Sequence, residues 1–504
     1  MSNRIVNSIP GPIPVTIISP PAYEARLFAD ANEAVDAITE IYERNTAFLI
    51  DAFTALANGA PIEGRYRAFY PQVSIETNSF GHLDTRLSYG HVTSPGVYTT
   101  TLTNPKLFRH YLKEQLSLLM RNHQVPVRVS ESTTPIPLHF AFGEGAHVEA
   151  SANGFSDIQL RDIFDTPDLS TTDDEIANGE YEPPAGEPFP LAPFTAQRID
   201  YSLARLSHYT ATSAKHFQNF VLFTNYQFYV DEFCAYARTL MANGGEGYTA
   251  FVEPGNITTL AGENAPSSGA PLGRLPQMPA YHLKMKGHAG ITMVNIGVGP
   301  SNAKTITDHV AVLRPHAWLM LGHCAGLRNS QRLGDYVLAH AYMREDHVLD
   351  DDLPVWVPIP ALAEVQLALE DAVEEITGYE GFELKRIMRT GTVATIDNRN
   401  WELRDQRGPV KRLSQSRAIA LDMESATIAA NGFRFRVPYG TLLCVSDKPL
   451  HGELKLPGMA TAFYKTQVSQ HLQIGIRALQ KLGAMPTEKL HSRKLRSFFE
   501  TAFQ

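Results

Sequence analysis

The sequence predicts a two-domain α/β protein, with an N-terminal α+β domain over residues 1–192 and a C-terminal three-layer αβα domain over residues 193–504. Three observations predict this organisation. At 504 residues the chain is too long for one ordinary hydrophobic core. Strand-like runs alternate with helical patterns through the second half, which is typical of a sheet covered by helices on both faces. Residues 163–192 are acidic and rich in proline, which indicates a linker or mobile loop.

The N-terminal domain should contain both helices and strands around its own core. Residues 1–25 are rich in proline and are expected to be irregular. Apolar residues recur at helical spacing between residues 31 and 57, which predicts a long helix. The remaining patterns predict strands at 66–75 and 97–102, a helix at 105–121, and extended segments at 125–129 and 136–142.

The second domain is expected to alternate strands with helices around a central sheet. Predicted strands lie at 220–223, 291–296, 318–321, 336–339, 391–395 and 439–445. Predicted helices include one through Val230 and Phe233 and further ones at 303–313, 361–376, 422–430 and 460–481. A loop rich in Gly, Pro and Ser should cover 254–280, and Asn431-Gly432 is a helix-stop signal.

Charge, cysteine content and hydropathy argue against several classes of protein. The net charge of -9 argues against a nucleic-acid binder, and an anionic substrate would need a local basic patch. Cys234, Cys324 and Cys444 show neither metal-ligand spacing nor a disulfide framework, so we expect reduced thiols in the cytoplasm. The start of the chain has no signal-peptide pattern, and no apolar run approaches the ~18 residues that span a bilayer. We therefore expect a cytoplasmic protein without a metal or other cofactor.

Two carboxylates stand out in the second domain. Glu424 begins a predicted helix, and Asp447 follows a buried strand that Pro449 cannot continue. Open α/β sheets bind ligands beyond the carboxyl ends of their strands, so the two acids could meet in one crevice as an acid/base and sugar-binding pair. Each also has a structural alternative: Glu424 as a first-turn acid that favours the helix dipole, and Asp447 as a turn or cap residue.

The segments DMESA and VSD, which carry these acids, resemble the sugar-binding and catalytic pair of the nucleoside phosphorylase / nucleosidase superfamily. The longer run over 418–458 is more specific and resembles the branch that hydrolyses AMP to adenine and ribose 5-phosphate. The similarity extends over about 198–496, while the N-terminal portion resembles the regulatory domain of that branch less distinctly. The resemblance implies a nucleoside phosphorylase-like fold for the C-terminal domain.

The resemblance also implies roles for individual residues. Glu424 would accept hydrogen bonds from the ribose hydroxyls while Met423 packs on the sugar. Asp447 would be the general acid that protonates the purine at N7, because an adenine anion is a poor leaving group. Gly299, in the Gly-rich turn after the strand 291–296, would lie beside the ribose and the nucleophile; a tight turn without a ligand is the alternative.

The identity of the nucleophile depends on one position. Related phosphorylases hold phosphate with an Arg two residues before the first Gly of the segment Gly322 to Gly326, and Met320 stands at that position here. A thioether offers no charge-assisted donor to phosphate, which favours water and hence hydrolysis. His323, in the same segment, could contact substrate or be a structural imidazole.

The sequence offers several candidate residues for binding the adenine base and the 5′-phosphate. Either Trp401 or Arg399 could stack on adenine, and Arg399 could instead bind phosphate. Lys448 is our first candidate for the 5′-phosphate of a nucleotide, because it adjoins Asp447. The other candidates for this phosphate are His451, Lys455, Arg399, Arg434 and Arg436.

The residue that activates water stays open. In related hydrolases a Glu in the helix after the first strand does this, and the matching position falls near Tyr229, with Asp231 and Glu232 close by in sequence. A purine nucleoside phosphorylase and a catalytically inactive nucleotide sensor are the rival functions. The resemblance implies a homohexamer that ATP activates and phosphate inhibits.

Overall fold

A computed structural model describes residues 16–80, 86–143, 157–403, 405–453, 459–490 and 495–504. The irregular segment predicted over 1–25 lies mostly outside this range. Among the described helices, none combines the length and apolar character that a bilayer crossing requires. The three cysteines are buried and none forms a disulfide.

The N-terminal half is built on a long helix that packs against a small sheet. The predicted helix is confirmed as Ala31–Ala57, and the Asp30 carboxylate caps it by accepting the N–H groups of Asn32 at 2.8 Å and Glu33 at 3.1 Å. The five-stranded sheet has the order β2-β6-β4-β5-β7, and β1 pairs with β3. The strands are β1 (Ile17–Ile18), β2 (Arg26–Phe28), β3 (Arg65–Tyr66), β4 (Phe69–Thr77), β5 (Gly96–Thr101), β6 (Val127–Pro135) and β7 (Phe189–Pro190).

Two N-terminal predictions need correction. The helix expected from 105 begins at Arg109 and runs to His123. The segment 136–142 is not extended, because Leu138–Ala141 forms one helical turn directly after Pro137. Proline sets φ near the helical value, so this short turn starts easily there.

The second half contains a ten-stranded mixed sheet with the order β10-β9-β11-β12-β8-β13-β16-β15-β14-β17. Because β13 also pairs with β17, the last five strands close into a ring. The strands are β8 (Phe220–Thr224), β9 (Tyr248–Glu253), β10 (Ile257–Leu260), β11 (Ala280–Met285), β12 (Ile291–Asn295), β13 (Ala317–Gly326), β14 (Tyr336–Glu345), β15 (Met388–Ile396), β16 (Ala418–Asp422) and β17 (Tyr439–Asp447). All five ring strands contribute to one buried cluster, formed by Cys324, Val337, Ala339, Val393, Ala420, Leu443 and Val445.

Helices cover both faces of this sheet. Gly432 lies in helix Ser425–Phe435 and Gly475 in helix Met459–Gly483. A Cβ added at Gly432 would lie 3.0 Å from Nε1 of Trp318, and one added at Gly475 would lie 2.3 Å from Cδ1 of Leu321. Residues 318 and 321 of one strand point to opposite faces, so these two helices lie on opposite sides and the three-layer prediction is confirmed. The helices of this half are Ala196–Thr210, Gln227–Ala242, Pro300–Val310, Ala363–Thr377, Gly381–Ile387, Arg407–Gln415, Ser425–Phe435 and Met459–Gly483.

Three predictions in this half were wrong in detail. Residues 418–422 form β16, so the helix expected from 422 starts at Ser425. It continues through Asn431-Gly432 to Phe435, because Gly432 allows close approach to the sheet rather than a turn. The loop predicted over 254–280 contains β10 and ends where β11 begins.

The acidic segment over 163–192 is ordered rather than loose. It contains the 3-10 turn Leu169–Thr171, the helical turn Glu175–Asn178 and strand β7, which pairs in parallel with β5. Asp174 pairs with Arg198 at 2.9 Å and with Arg434 at 3.5 Å, and both guanidinium groups are buried. The acidic segment is therefore attached to the C-terminal helices by ion pairs.

Candidate active site

Glu424 is held by donors from two other strand ends. It directly precedes helix Ser425–Phe435, its side chain makes no capping hydrogen bond to that helix, and it is only 1% exposed. Its Oε2 accepts a hydrogen bond from Nδ2 of Asn225 at 2.9 Å, and its Oε1 accepts one from the N–H of Gly299 at 2.6 Å. Each carboxylate oxygen can accept a further bond, so this fixed group can still receive hydroxyl donors from a ligand.

The sheet topology explains why these groups meet. Strands β12, β8, β13 and β17 run parallel to one another, so their carboxyl ends share one edge of the sheet. Asn225 follows β8, Gly299 follows β12, and Asp447 ends β17. Strand β16 runs antiparallel to β13 and delivers Glu424 to the same edge from the opposite direction.

Strand β13 separates the two predicted acids. Its residue Ala325 pairs with Leu421 of β16 on one side and with Asp447 of β17 on the other. Asp447 is half-buried, and its Oδ1 accepts a hydrogen bond from Oγ of Ser446 at 2.7 Å. The helix acid and the strand-end acid thus lie on the two flanks of one strand end.

A second buried carboxyl, Asp422, controls the electrostatics around Glu424. Its oxygens accept hydrogen bonds from the N–H of Ser425 at 3.0 Å and from Oγ1 of Thr395 at 2.5 Å. Burial raises the pKa of Asp422. Burial, together with the nearby charge of Asp422, raises the pKa of Glu424. The two carboxyl groups therefore resist being ionised at the same time.

The other predicted sugar-side residues lie around this pair. Gly299 has φ of 114°, a conformation that favours glycine, and it precedes the helix Pro300–Val310. Met423 is half-buried between two buried acids. The ring of His323 contacts the ring of Tyr226 edge-on at 4.9 Å. The N–H of Gly299 donates to the Glu424 carboxylate, so the anion that this turn binds is a side chain of the protein itself.

Met320 is sealed inside the sheet. It is 0% exposed and pairs with Phe223 of β8 and Thr441 of β17. Its Cε would lie 2.9 Å from a Cβ added at Gly322, so the segment that follows packs directly on it. The side chain therefore presents no donor to the site.

Lys448 is buried and already paired. Its Nζ forms an ion pair with Oε1 of Glu453 at 2.5 Å and donates to the carbonyl of Asn329 at 3.2 Å. Nε2 of His451 lies 3.3 Å from the carbonyl oxygen of Leu327, and Lys455 lies outside the described residues. The role of Lys448 as a phosphate ligand stays a prediction.

The two arginines of helix Ser425–Phe435 and its end serve internal ion pairs. Arg434 is 4% exposed and contacts Asp352 at 3.2 Å and Asp308 at 3.7 Å. Arg436 is 3% exposed and pairs with Glu500. These contacts favour a structural role for both over the 5′-phosphate role that we considered.

Trp401 and Arg399 occupy different environments. Trp401 is 7% exposed and packs in a small cluster with Leu413 and Leu421, beside a cavity of about 420 Å³. Arg399 is exposed on the loop after β15. Leu421, which lines this cavity, is three residues before Glu424 in the sequence. Stacking of adenine on Trp401 or Arg399 stays a prediction.

The position matched to the water-activating Glu is unsuited to that task. Tyr229 is fully buried, and its hydroxyl lies 2.7 Å from Nδ1 of His471, whose Nε2 lies 3.0 Å from the Leu442 carbonyl. Asp231 and Glu232 are exposed on the outside of the same helix. Tyr229 therefore belongs to the core.

Comparison with known proteins identifies the family. A family model described as bacterial AMP nucleoside phosphorylase N-terminus matches residues 33–188, and the phosphorylase superfamily model matches residues 259–480. The chain is 48% identical over 481 residues to AMP nucleosidase of Escherichia coli strain K12, covering 94% of this chain and 98% of the relative. The chain belongs to the AMP nucleosidase family.

The chain is also similar to two further AMP nucleosidases and to a purine nucleoside phosphorylase. AMP nucleosidase of Escherichia coli O157:H7 is also 48% identical, with the same 94% and 98% coverage. The crystal structure of AMP nucleosidase from Bacteroides thetaiotaomicron VPI-5482 is 27% identical, covers 56% of this chain and 96% of that chain, and has a TM-score of 0.40. Purine nucleoside phosphorylase from Toxoplasma gondii in complex with immucillin-H is 17% identical, with 54% and 97% coverage and a TM-score of 0.39.

Two functional candidates were missed from the sequence of this AMP nucleosidase family member. Asn225 stands directly after β8, and the strand-end rule that selected Asp447 would have selected it too. Asp422 was assigned to a helix, although its side chain carries the buried charge beside Glu424. Within the described ranges, no group of three or more His, Cys, Asp or Glu side chains is arranged to hold a metal ion.

Proposed function

We propose that this chain hydrolyses the N-glycosidic bond of AMP to adenine and ribose 5-phosphate. The observation that carries the proposal is the buried Glu424 carboxylate, fixed by Asn225 and Gly299 across β13 from Asp447. The 48% identity to a protein named AMP nucleosidase supports AMP as the substrate.

In the proposed mechanism Glu424 accepts hydrogen bonds from the ribose hydroxyls, and Met423 packs against the sugar. Asp447 gives a proton to N7 as the bond between C1′ and N9 breaks, so that the electron pair leaves with a neutral adenine. Water forms the new bond to C1′ and loses its proton to solvent, and Asp447 regains a proton from solvent. When Glu424 is ionised, its negative charge has a fixed position, so it favours the oxocarbenium-like transition state without reorganisation during the reaction.

The experiment is an incubation with AMP, first without phosphate and then at high phosphate, with product analysis. We expect free adenine and ribose 5-phosphate in both conditions, because the buried Met320 offers phosphate no cationic donor. Ribose 1,5-bisphosphate as a major product at high phosphate would show a phosphorylase instead. Failure to release adenine in either condition would favour the inactive sensor.

We also propose that the chain works in the cytoplasm as a homohexamer that ATP activates and phosphate inhibits. This proposal rests on the sequence resemblance, and the three buried thiols agree with a reducing compartment. Light scattering coupled to size-exclusion chromatography measures the assembly. Initial rates at fixed AMP with added ATP or phosphate measure the two effects, and unchanged rates would remove the regulatory part alone.

A further inference from the structure

A cavity of about 710 Å³ lies between the N-terminal half and the helix Ala196–Thr210. Its volume is in the range of small-molecule sites, which occur preferentially where two domains meet. No predicted site residue of the active site lines it. The candidate active site therefore does not account for this cavity.

Much of the cavity wall is apolar and aromatic. Phe140 and Phe142, both half-buried, line one side, and Leu203 of the helix lines another. Phenyl faces pack well against flat rings, and such stacking adds to the burial of apolar area. These walls favour a ligand with a flat apolar ring.

The polar part of the described lining includes two lysines and a histidine. Lys106, Lys215 and His139 all line the cavity and are exposed. Lys106 is paired with Glu43, whereas Lys215 forms no ion pair with any carboxylate of the described chain. An exposed ammonium beside an apolar wall attracts an anionic group.

Among the described residues of the lining, the one acid is bonded to other partners. Asp200 accepts hydrogen bonds from the hydroxyl of Tyr70 at 2.6 Å, Oγ1 of Thr103 at 2.7 Å and Nδ2 of Asn104 at 2.9 Å. These three donors occupy most of its roughly four acceptor sites, so its carboxylate opposes an anion less than its position in the lining alone would indicate.

We infer that this interdomain cavity binds a small organic anion with a flat apolar ring, and that Lys215 contacts its anionic group. The inference concerns binding and does not depend on hydrolysis of AMP. The probe is 8-anilino-1-naphthalenesulfonate, titrated by fluorescence against the full chain. Its neutral analogue, N-phenyl-1-naphthylamine, tests the need for charge, and octanoate tests the need for a ring.

Saturable binding of one probe per chain is expected. Ser207→Trp fills the cavity and should weaken probe binding by about 10-fold or more. Lys215→Gln should weaken it by a similar factor, because one charge-assisted contact is lost. Arg205→Trp is the matched control, because this exposed residue of the same helix does not line the cavity. The neutral analogue should bind about 10-fold more weakly, and octanoate should not displace the probe.

Circular dichroism and thermal unfolding of each variant show whether the chain remains folded, and a misfolded variant would increase probe fluorescence rather than lower it. Ala204→Trp gives a second cavity-filling variant. The inference would be overturned if both Trp variants bound the probe as tightly as the unsubstituted chain does. Binding that does not saturate would also overturn it. AMP hydrolysis without the probe, measured in the same variants, keeps this result separate from the proposed function.

Discussion

The main-chain N–H of Gly299 lies 2.6 Å from Oε1 of Glu424, which joins the turn after β12 to the start of helix Ser425–Phe435. Asn225 holds the other oxygen, so both protein partners of this carboxylate are donors. A carboxylate with two fixed donors keeps one orientation before any ligand arrives. Orientation of this kind removes a reorganisation cost from sugar binding.

Glu424→Gln should test that arrangement directly. The amide nitrogen of Gln must face either the N–H of Gly299 or the NH₂ of Asn225, so one hydrogen bond is lost and the ribose hydroxyls lose a charged acceptor. Each charge-assisted bond contributes about 1.5–3 kcal/mol, so we expect kcat/KM for AMP to fall by about 10²-fold or more. Steady-state kinetics measure this.

The stability of the same variant provides the control. The buried hydrogen bond that Gln loses costs about 1–3 kcal/mol, partly offset because ionisation of this buried carboxyl is disfavoured, so the free energy of urea unfolding should fall by no more than that. Near-normal kcat/KM in the folded variant would contradict the role of Glu424 in sugar binding. A large loss of stability would attribute any lost activity to the fold.

Asp422→Asn should change the pH dependence of activity. Without the charge of Asp422, the pKa of Glu424 should fall toward its ordinary value. If ionised Glu424 binds the ribose, the acid limb of kcat/KM should move to lower pH. A pH profile with an unchanged acid limb would show that another group controls it, and Asp405→Asn, at an exposed acid, should leave the profile unaltered.

The same pair should make stability fall as pH rises. A buried acid with a raised pKa binds more protons in the folded state than in the unfolded state. The free energy of unfolding should therefore decline from pH near 4, the ordinary carboxyl value, up through the raised folded-state values. Urea unfolding at several pH values measures the slope, which should be shallower in Asp422→Asn.

The sequence allowed the positions of Asp447 and Glu424 to be predicted because local signals were sufficient. A short apolar strand followed by a proline placed Asp447 at a strand end, and β17 does end there. Asn225 also follows a short apolar strand, but its bond to Glu424 joins residues 199 apart, so the local pattern does not show which group it holds. Asn431-Gly432 misled us because the same two residues can end a helix or allow it to pack closely on a sheet.

Asp447→Asn should lower kcat because the amide cannot deliver a proton to N7. General acid catalysis typically contributes about 10²–10⁴-fold, and we expect a loss in that range with KM for AMP largely kept. Single-turnover release of adenine is the measurement. Normal turnover would remove Asp447 from the mechanism, and Asp405→Asn again provides an exposed control.

Lys448→Ala separates two roles for a buried lysine. If Lys448 leaves Glu453 to hold the 5′-phosphate, kcat/KM for AMP should fall by about 10-fold or more while the weaker reaction of adenosine is kept. If the ion pair with Glu453 is structural, both substrates should lose activity equally. Parallel kinetics with AMP and adenosine distinguish these results, and an equal loss would move the search for the phosphate site to Arg399 or a neighbouring subunit.

Asp174→Asn should show whether the acidic segment supports the catalytic helices. Asp174 pairs with buried Arg198 and Arg434, and Arg434 lies near the end of the helix that starts beside Glu424. Loss of its charge leaves buried Arg198 without an ion pair in the described chain, with only its hydrogen bonds to Ser202 and the Asp308 carbonyl, at a cost of about 1–3 kcal/mol. We expect urea unfolding to show that loss, with a smaller fall in kcat/KM. The neighbouring Asp173→Asn is the control, because Asp173 is exposed and accepts a hydrogen bond from the N–H of Glu175, so its change should stay within about 0.5 kcal/mol. Equal stability of the two variants would show that the segment lies against these helices without holding them.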